Sequence, residues 1–143
     1  MTAAETAPQS LRALIVDDDS RWRTILSEIL SELGCMITAT AAPPARLDGY
    51  DLAVLDIALD PNDAGNRDGL TLLRRLARSG TRCLMLSGWI NTDVQAEIEQ
   101  EPHVLGVLRK DGFQRATFVN LIQQAFALPQ TRRLDVLLSL IHI

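Results

Sequence analysis

Leu11-Arg12-Ala13-Leu14-Ile15-Val16-Asp17-Asp18-Asp19 runs from an apolar segment straight into three carboxylates. A short run of this kind reads as a strand covered on both faces, and the acids mark where it leaves the core. Three similar junctions follow: Leu52 to Leu55 ends at Asp56, Cys83 to Leu86 at Ser87, and Val104 to Leu108 at Arg109 and Lys110. If the four runs are parallel strands, their polar ends emerge at one edge of one sheet, where open α/β folds build their sites. Asp17, Asp18, Asp56, Ser87 and Lys110 would then share a pocket equipped to hold a divalent cation beside a phosphoryl group.

Between these runs the apolar period changes from strand to helix. Trp22, Ile25, Leu26, Ile29, Leu30 and Leu33 recur at steps of three and four, which predicts a helix with Ser20 as N-cap and Gly34 as its stop. Cys35 to Ala39 is a short second strand, and Pro43-Pro44 leaves room for about one helical turn before the third. Asp68 is placed to cap a further helix through Leu70, Leu73, Leu76 and Ala77 that stops at Gly80. Asn91 or Thr92 starts a weaker helix with Val94 and Ile98 inside. Phe118, Leu121, Ile122, Ala125 and Phe126 form the buried stripe of the last one, ended by Pro129. Strands alternating with helices predict a three-layer α/β/α sandwich around a five-stranded parallel sheet.

With 143 residues, 47% of them hydrophobic, the chain fits one domain with a sizeable core. The formal net charge of -4 comes with no Lys/Arg stripe, so direct nucleic-acid binding is not expected and partners should be proteins. Cys35 and Cys83 form no CxxC pair and suit reduced core thiols of a cytoplasmic protein. Residues 1–10 read as an N-terminal extension without a leader, residues 11–128 as the domain, and 129–143 as a C-terminal tail. Leu134 to Ile143 is apolar but too short to cross a membrane. It reads either as a partner-binding extension or as non-native, truncated sequence, because Leu138-Ser139-Leu140-Ile141-His142-Ile143 is also a translation of the transposon mosaic end of tagmentation libraries.

Taken together, Leu14-Ile15-Val16-Asp17-Asp18-Asp19, Leu55-Asp56, Leu86-Ser87-Gly88 and Gly106-Val107-Leu108-Arg109-Lys110 resemble the signature of two-component response-regulator receiver domains, over roughly Leu11 to Leu128. The resemblance implies a flavodoxin-like fold with strand order 2-1-3-4-5, the chemotaxis-regulator arrangement. It implies Asp56 as phosphoacceptor, with Ser87 and Lys110 reading the phosphorylated state. The donor would be a sensor histidine kinase or phosphotransfer protein in a bacterial phosphorelay, and the output a downstream protein or a missing output domain; the module itself would not be an enzyme. Mg²⁺ prefers carboxylate, water and phosphate oxygens, so Asp18 and Asp56 are expected as direct ligands, Asp17 directly or through water, and the Ala58 backbone carbonyl as the remaining protein donor.

Several positions depart from the family pattern. Asp111 follows Lys110 where many receivers have Pro, and Val107 stands where an aromatic usually couples site to output face. The segment from Ile57 to Gly69 is longer by about one turn and adds Asp60, Asp63 and Asp68. Ala58 and Trp89 offer no carboxylate or amide to orient water, so slow self-dephosphorylation is expected. Two other readings compete. Asp17-Asp18-Asp19 also fits the Asp-x-Asp of Mg²⁺-dependent haloacid-dehalogenase-like phosphohydrolases, with Asp17 as nucleophile and Asp19 as acid/base, although Asp56 is then unexplained. A receiver-like interaction module that is never phosphorylated is the third. Each polar junction alone could be a cap or turn. Their coincidence at one sheet edge favours a site.

Overall fold

The computed structural model describes residues 10–56, 65–88 and 92–127, the side chains of 65–69 and 94 apart. Five strands, β1 (Arg12–Val16), β2 (Met36–Thr40), β3 (Leu52–Leu55), β4 (Arg82–Ser87) and β5 (Val104–Arg109), alternate with α1 (Ser20–Glu32), α2 (Gly65–Arg78), α3 (Thr92–Glu99) and α4 (Arg115–Phe126). The strands form one parallel sheet in the order β2-β1-β3-β4-β5, the order that the receiver resemblance implies. Register places Val16 beside both Thr40 and Leu55, so β1, β2 and β3 end level.

Side chains alternate across the sheet, and each face has its own core. Leu14, Val16, Ala53, Leu55, Cys83 and Met85 pack against Leu72, Leu73 and Leu76 of α2 and Ile98 of α3. Ala13, Ile15, Leu52, Val54, Leu84 and Leu86 face Leu26, Ile29 and Leu30 of α1 and Phe118 and Ile122 of α4. A fully buried Leu or Phe is worth about 1.5–3 kcal/mol, so these two layers supply the main drive for folding. They also explain why β3, with four buried residues in succession, shows no amphipathic alternation.

Helix boundaries differ from the sequence reading at two places. Asp19, not Ser20, is the N-cap of α1: its backbone is extended and its carboxylate accepts the Arg21 N–H at 2.9 Å. Helix α2 starts at Gly65, which puts Asp68 inside its first turn rather than at its cap. Between β2 and β3 the described residues form turns and bends and no helix. Leu47 and Tyr50 from this connection plug the adjacent core, while Met36 on the edge strand stays 62% exposed. Helix α4 ends before Pro129, at Ala127, whose φ of 50° is left-handed. No helix among the described residues is long and apolar enough to cross a membrane.

Candidate functional site

The last backbone hydrogen bonds of the sheet fix where the polar side chains begin. Asp17 N–H donates to the Thr40 carbonyl at 3.0 Å, Asp56 N–H to the Val16 carbonyl at 2.8 Å, and Lys110 N–H to the Ser87 carbonyl at 2.9 Å. Each acid or base thus leaves its strand at the point where pairing stops, and all leave at the same edge.

Three carboxylates converge there. Asp17, Asp18 and Asp56 each offer an oxygen, and these oxygens lie within 4.8 Å of one another. Asp17 is buried, Asp18 exposed and Asp56 half-buried, so the cluster has a closed floor and an open side. Lys110 reaches over it from the end of β5. Its Nζ donates to Asp56 Oδ2 at 2.8 Å and to Asp17 Oδ1 at 3.2 Å.

Asp17 is further held by its neighbours: Oδ1 accepts the Asp19 N–H at 2.9 Å, and Arg23 Nη1 donates to its backbone carbonyl at 2.7 Å. Its other oxygen, Oδ2, is buried without a hydrogen bond. Lys110 Nζ stands 2.9 Å from that oxygen, which is ion-pair distance, but the ammonium's hydrogen bonds go to Asp17 Oδ1 and Asp56 Oδ2. The ammonium's charge thus offsets the burial of this oxygen, and it is shared among both Asp17 oxygens and Asp56.

These observations fit a hard divalent cation. The metal-ligating atoms of the cluster are all carboxylate oxygens, and three carboxylates oppose one ammonium. Asp56 feels the imbalance. Burial pushes its carboxyl above the usual carboxylate range, the Lys110 hydrogen bond works against that, and the neighbouring Asp17 charge adds to the rise. For Lys110 burial favours the neutral form, but hydrogen bonds and charges of Asp56 and Asp17 outweigh it, and its affinity for the proton is raised. The ammonium is therefore a fixed positive charge beside the acceptor oxygen.

Of the residues predicted from sequence, Asp17, Asp18, Asp56 and Lys110 come together. Ser87 lies at the same edge, 1% exposed, and joins Lys110 through its carbonyl. Ala58, Trp89 and residues 57–64 fall outside the described residues. Val107, which stands where receivers usually have an aromatic, packs partly buried against the α2/α3 core. Sequence reading missed that Trp22 meets Lys110: the ammonium sits over the indole ring, 5.3 Å from its centroid. The spacing from Asp18 to Trp22 places the ring one turn up α1, but only the fold brings β5 alongside.

No protein-family model matches this sequence, and no curated protein matches it. Solved structures are similar to it. A CheY-like response regulator receiver domain protein from Methanospirillum hungatei shares 21% identity with a TM-score of 0.65, over 82% of this chain and 94% of the other. Chemotaxis protein CheY4 of Vibrio cholerae shares 21% identity with a TM-score of 0.62, over 81% and 98%. A pilus assembly-related protein from Burkholderia pseudomallei shares 21% identity with a TM-score of 0.63, over 85% and 93%. With its parallel sheet in the order 2-1-3-4-5 and helices on both faces, the chain has the flavodoxin-like fold of CheY-like receiver domains.

Proposed function

We propose that this chain is a phosphoacceptor module of a two-component system, in which Asp56 receives a phosphoryl group from a histidine kinase or phosphotransfer protein in the cytoplasm. The observation that carries the reading is Lys110 Nζ, 2.8 Å from Asp56 Oδ2 inside a three-carboxylate cluster at the strand ends. Phosphoryl transfer depends chiefly on positioning and charge neutralisation, and this arrangement supplies both. Asp18 and Asp56, with Asp17 and the Ala58 carbonyl, would hold Mg²⁺. Bound Mg²⁺ would neutralise phosphoryl oxygens and align them for in-line displacement.

The chain's own groups do the rest. An Asp56 carboxylate oxygen attacks phosphorus, the new O–P bond forms, and the P–N bond to the donor imidazole breaks with its electron pair leaving on nitrogen. Lys110 exchanges its contact with Asp56 for one with a phosphoryl oxygen, and Ser87 donates to another after its segment moves inward. Those movements would carry the signal to a partner protein or output domain.

The hydrolase reading is weaker on geometry. It makes Asp17 the nucleophile, yet that residue is 1% exposed, and the proposed acid/base Asp19 caps α1 and pairs with Arg21. Intact-protein mass after treatment with acetyl phosphate and Mg²⁺ tests the proposal. One phosphoryl adduct is expected, absent without Mg²⁺, abolished in Asp56→Asn and only weakened in Asp17→Asn. An adduct retained in Asp56→Asn and lost in Asp17→Asn would establish the hydrolase chemistry instead.

A further inference from the structure

Lys110 is held from two sides, and only one of them is acidic. Besides Asp17 and Asp56 its ammonium meets the indole of Trp22, 5.3 Å from the ring centroid. Trp22 is fixed in turn: Phe113 meets it edge to face at 5.2 Å and 85°, and Phe113 leans on Phe118 at 5.7 Å. Phe118 is fully buried in the α1/α4 core, against which Trp22 and Phe113 also pack. The indole is therefore a supported wall, joined through two rings to the rigid interior.

From this geometry we infer that Trp22 is a positioning residue for Lys110, holding the ammonium beside Asp56 when the acids turn to other partners. The inference rests on the proposed function. A lysine side chain has four rotatable bonds, and in the metal-free protein its two carboxylate contacts alone would suffice to place it. A cation or phosphoryl group on those acids removes that restraint. The aromatic face keeps attracting the charge, because a cation–π contact does not consume a carboxylate oxygen. The Lys110 side chain is only 14% exposed, so the contact is made largely out of water, where it is stronger.

Trp22→Leu keeps an apolar side chain but removes the π face, and Trp22→Phe keeps a smaller one. In metal-free protein, NMR should find the Lys110 ε-methylene protons upfield of ordinary lysine positions by the indole ring current. That displacement should vanish in Trp22→Leu. At saturating Mg²⁺, the rate of phosphorylation by acetyl phosphate should fall about three- to thirtyfold in Trp22→Leu, the range of a cation–π contact, and recover in Trp22→Phe. Mg²⁺ affinity, read separately, should stay within about twofold, since the acids are untouched. In a Lys110→Ala background, Trp22→Leu should cost nothing more. Ordinary Lys110 shifts in the wild type, or equal phosphorylation rates in wild type and Trp22→Leu, would overturn the positioning role. A parallel loss of Mg²⁺ affinity and thermal stability would also overturn it, marking Trp22 as merely structural. Upfield Lys110 shifts in a wild-type protein that takes no phosphoryl group would instead sink the proposed function while leaving the ring contact intact.

Discussion

Asp56 sits in an electrostatic conflict that the metal-free protein only partly relieves. Burial raises its proton affinity first, the Lys110 hydrogen bond opposes this, and the Asp17 charge adds to the rise. The native state therefore holds a proton above pH 3.8 where the unfolded chain has released it, so metal-free stability declines as pH rises through that window. Asp56→Asn removes the charge while Asp17 still pairs Lys110, and should stabilise the metal-free protein by about 1 kcal/mol at neutral pH. Thermal denaturation without metal checks the sign; a lower melting temperature in the variant would show that Lys110 more than offsets the conflict. A second conflict is hidden in the core. Burial pushes the Cys83 thiol up to about 12, and Cys35, half-buried, is raised less completely. Since the thiolate is the nucleophile, iodoacetamide at mildly alkaline pH should label Cys35 well before Cys83, followed by mass spectrometry. Stability should also fall above pH 9, where the unfolded thiol ionises and the native one does not.

Elements show which parts of the fold a sequence can declare. Strands β1, β3, β4 and β5 were legible because each carries an apolar run that ends in polar residues, and the acids after β1 and β3 mark their own positions. Asp17, Asp18, Asp56 and Lys110 gathered because β1 and β3 end level and β5 ends at the same edge of the sheet. Helix starts were less legible. Asp19 and Ser20 are both good caps, and the choice fell to Asp19 because Asp17 Oδ1 binds its N–H and holds it extended. The Trp22 contact was illegible because it joins residues 88 positions apart, from the first helix to the last strand end. Helix α4 gives a test of local strain. Its C-cap Ala127 has φ 50°, while its N–H returns to the Gln123 carbonyl. A left-handed alanine costs about 1–2 kcal/mol and a glycine loses more entropy on folding, so Ala127→Gly should stabilise by about 0.5–1 kcal/mol. An unchanged urea midpoint would mean that the cap carries no strain.

At the scale of the whole molecule, the site and the fold share the same strands. Asp17 and Asp18 extend β1 and Asp56 extends β3, the two strands at the middle of both cores, and their ends are bonded through Asp56 N–H and the Val16 carbonyl. A cation gathering these acids holds together parts of the chain that unfolding would separate by some forty residues of sequence, at positions 17, 18 and 56. An unfolded chain presents no such cluster, so binding energy adds directly to folding energy. Mg²⁺ at 100 times its dissociation constant should then stabilise the domain by about 2.7 kcal/mol, growing with the logarithm of concentration. Because one sheet carries both cores, the gain should appear equally in far-ultraviolet circular dichroism, which follows all the helices, and in tryptophan fluorescence, to which Trp22 beside Lys110 contributes. Coincident transitions that move up together with Mg²⁺ are the expected result, and Asp56→Asn should move far less. Fluorescence that shifts while circular dichroism stays still would show that the carboxylate edge opens and closes as a separate unit, with the sheet beneath it indifferent to the cation.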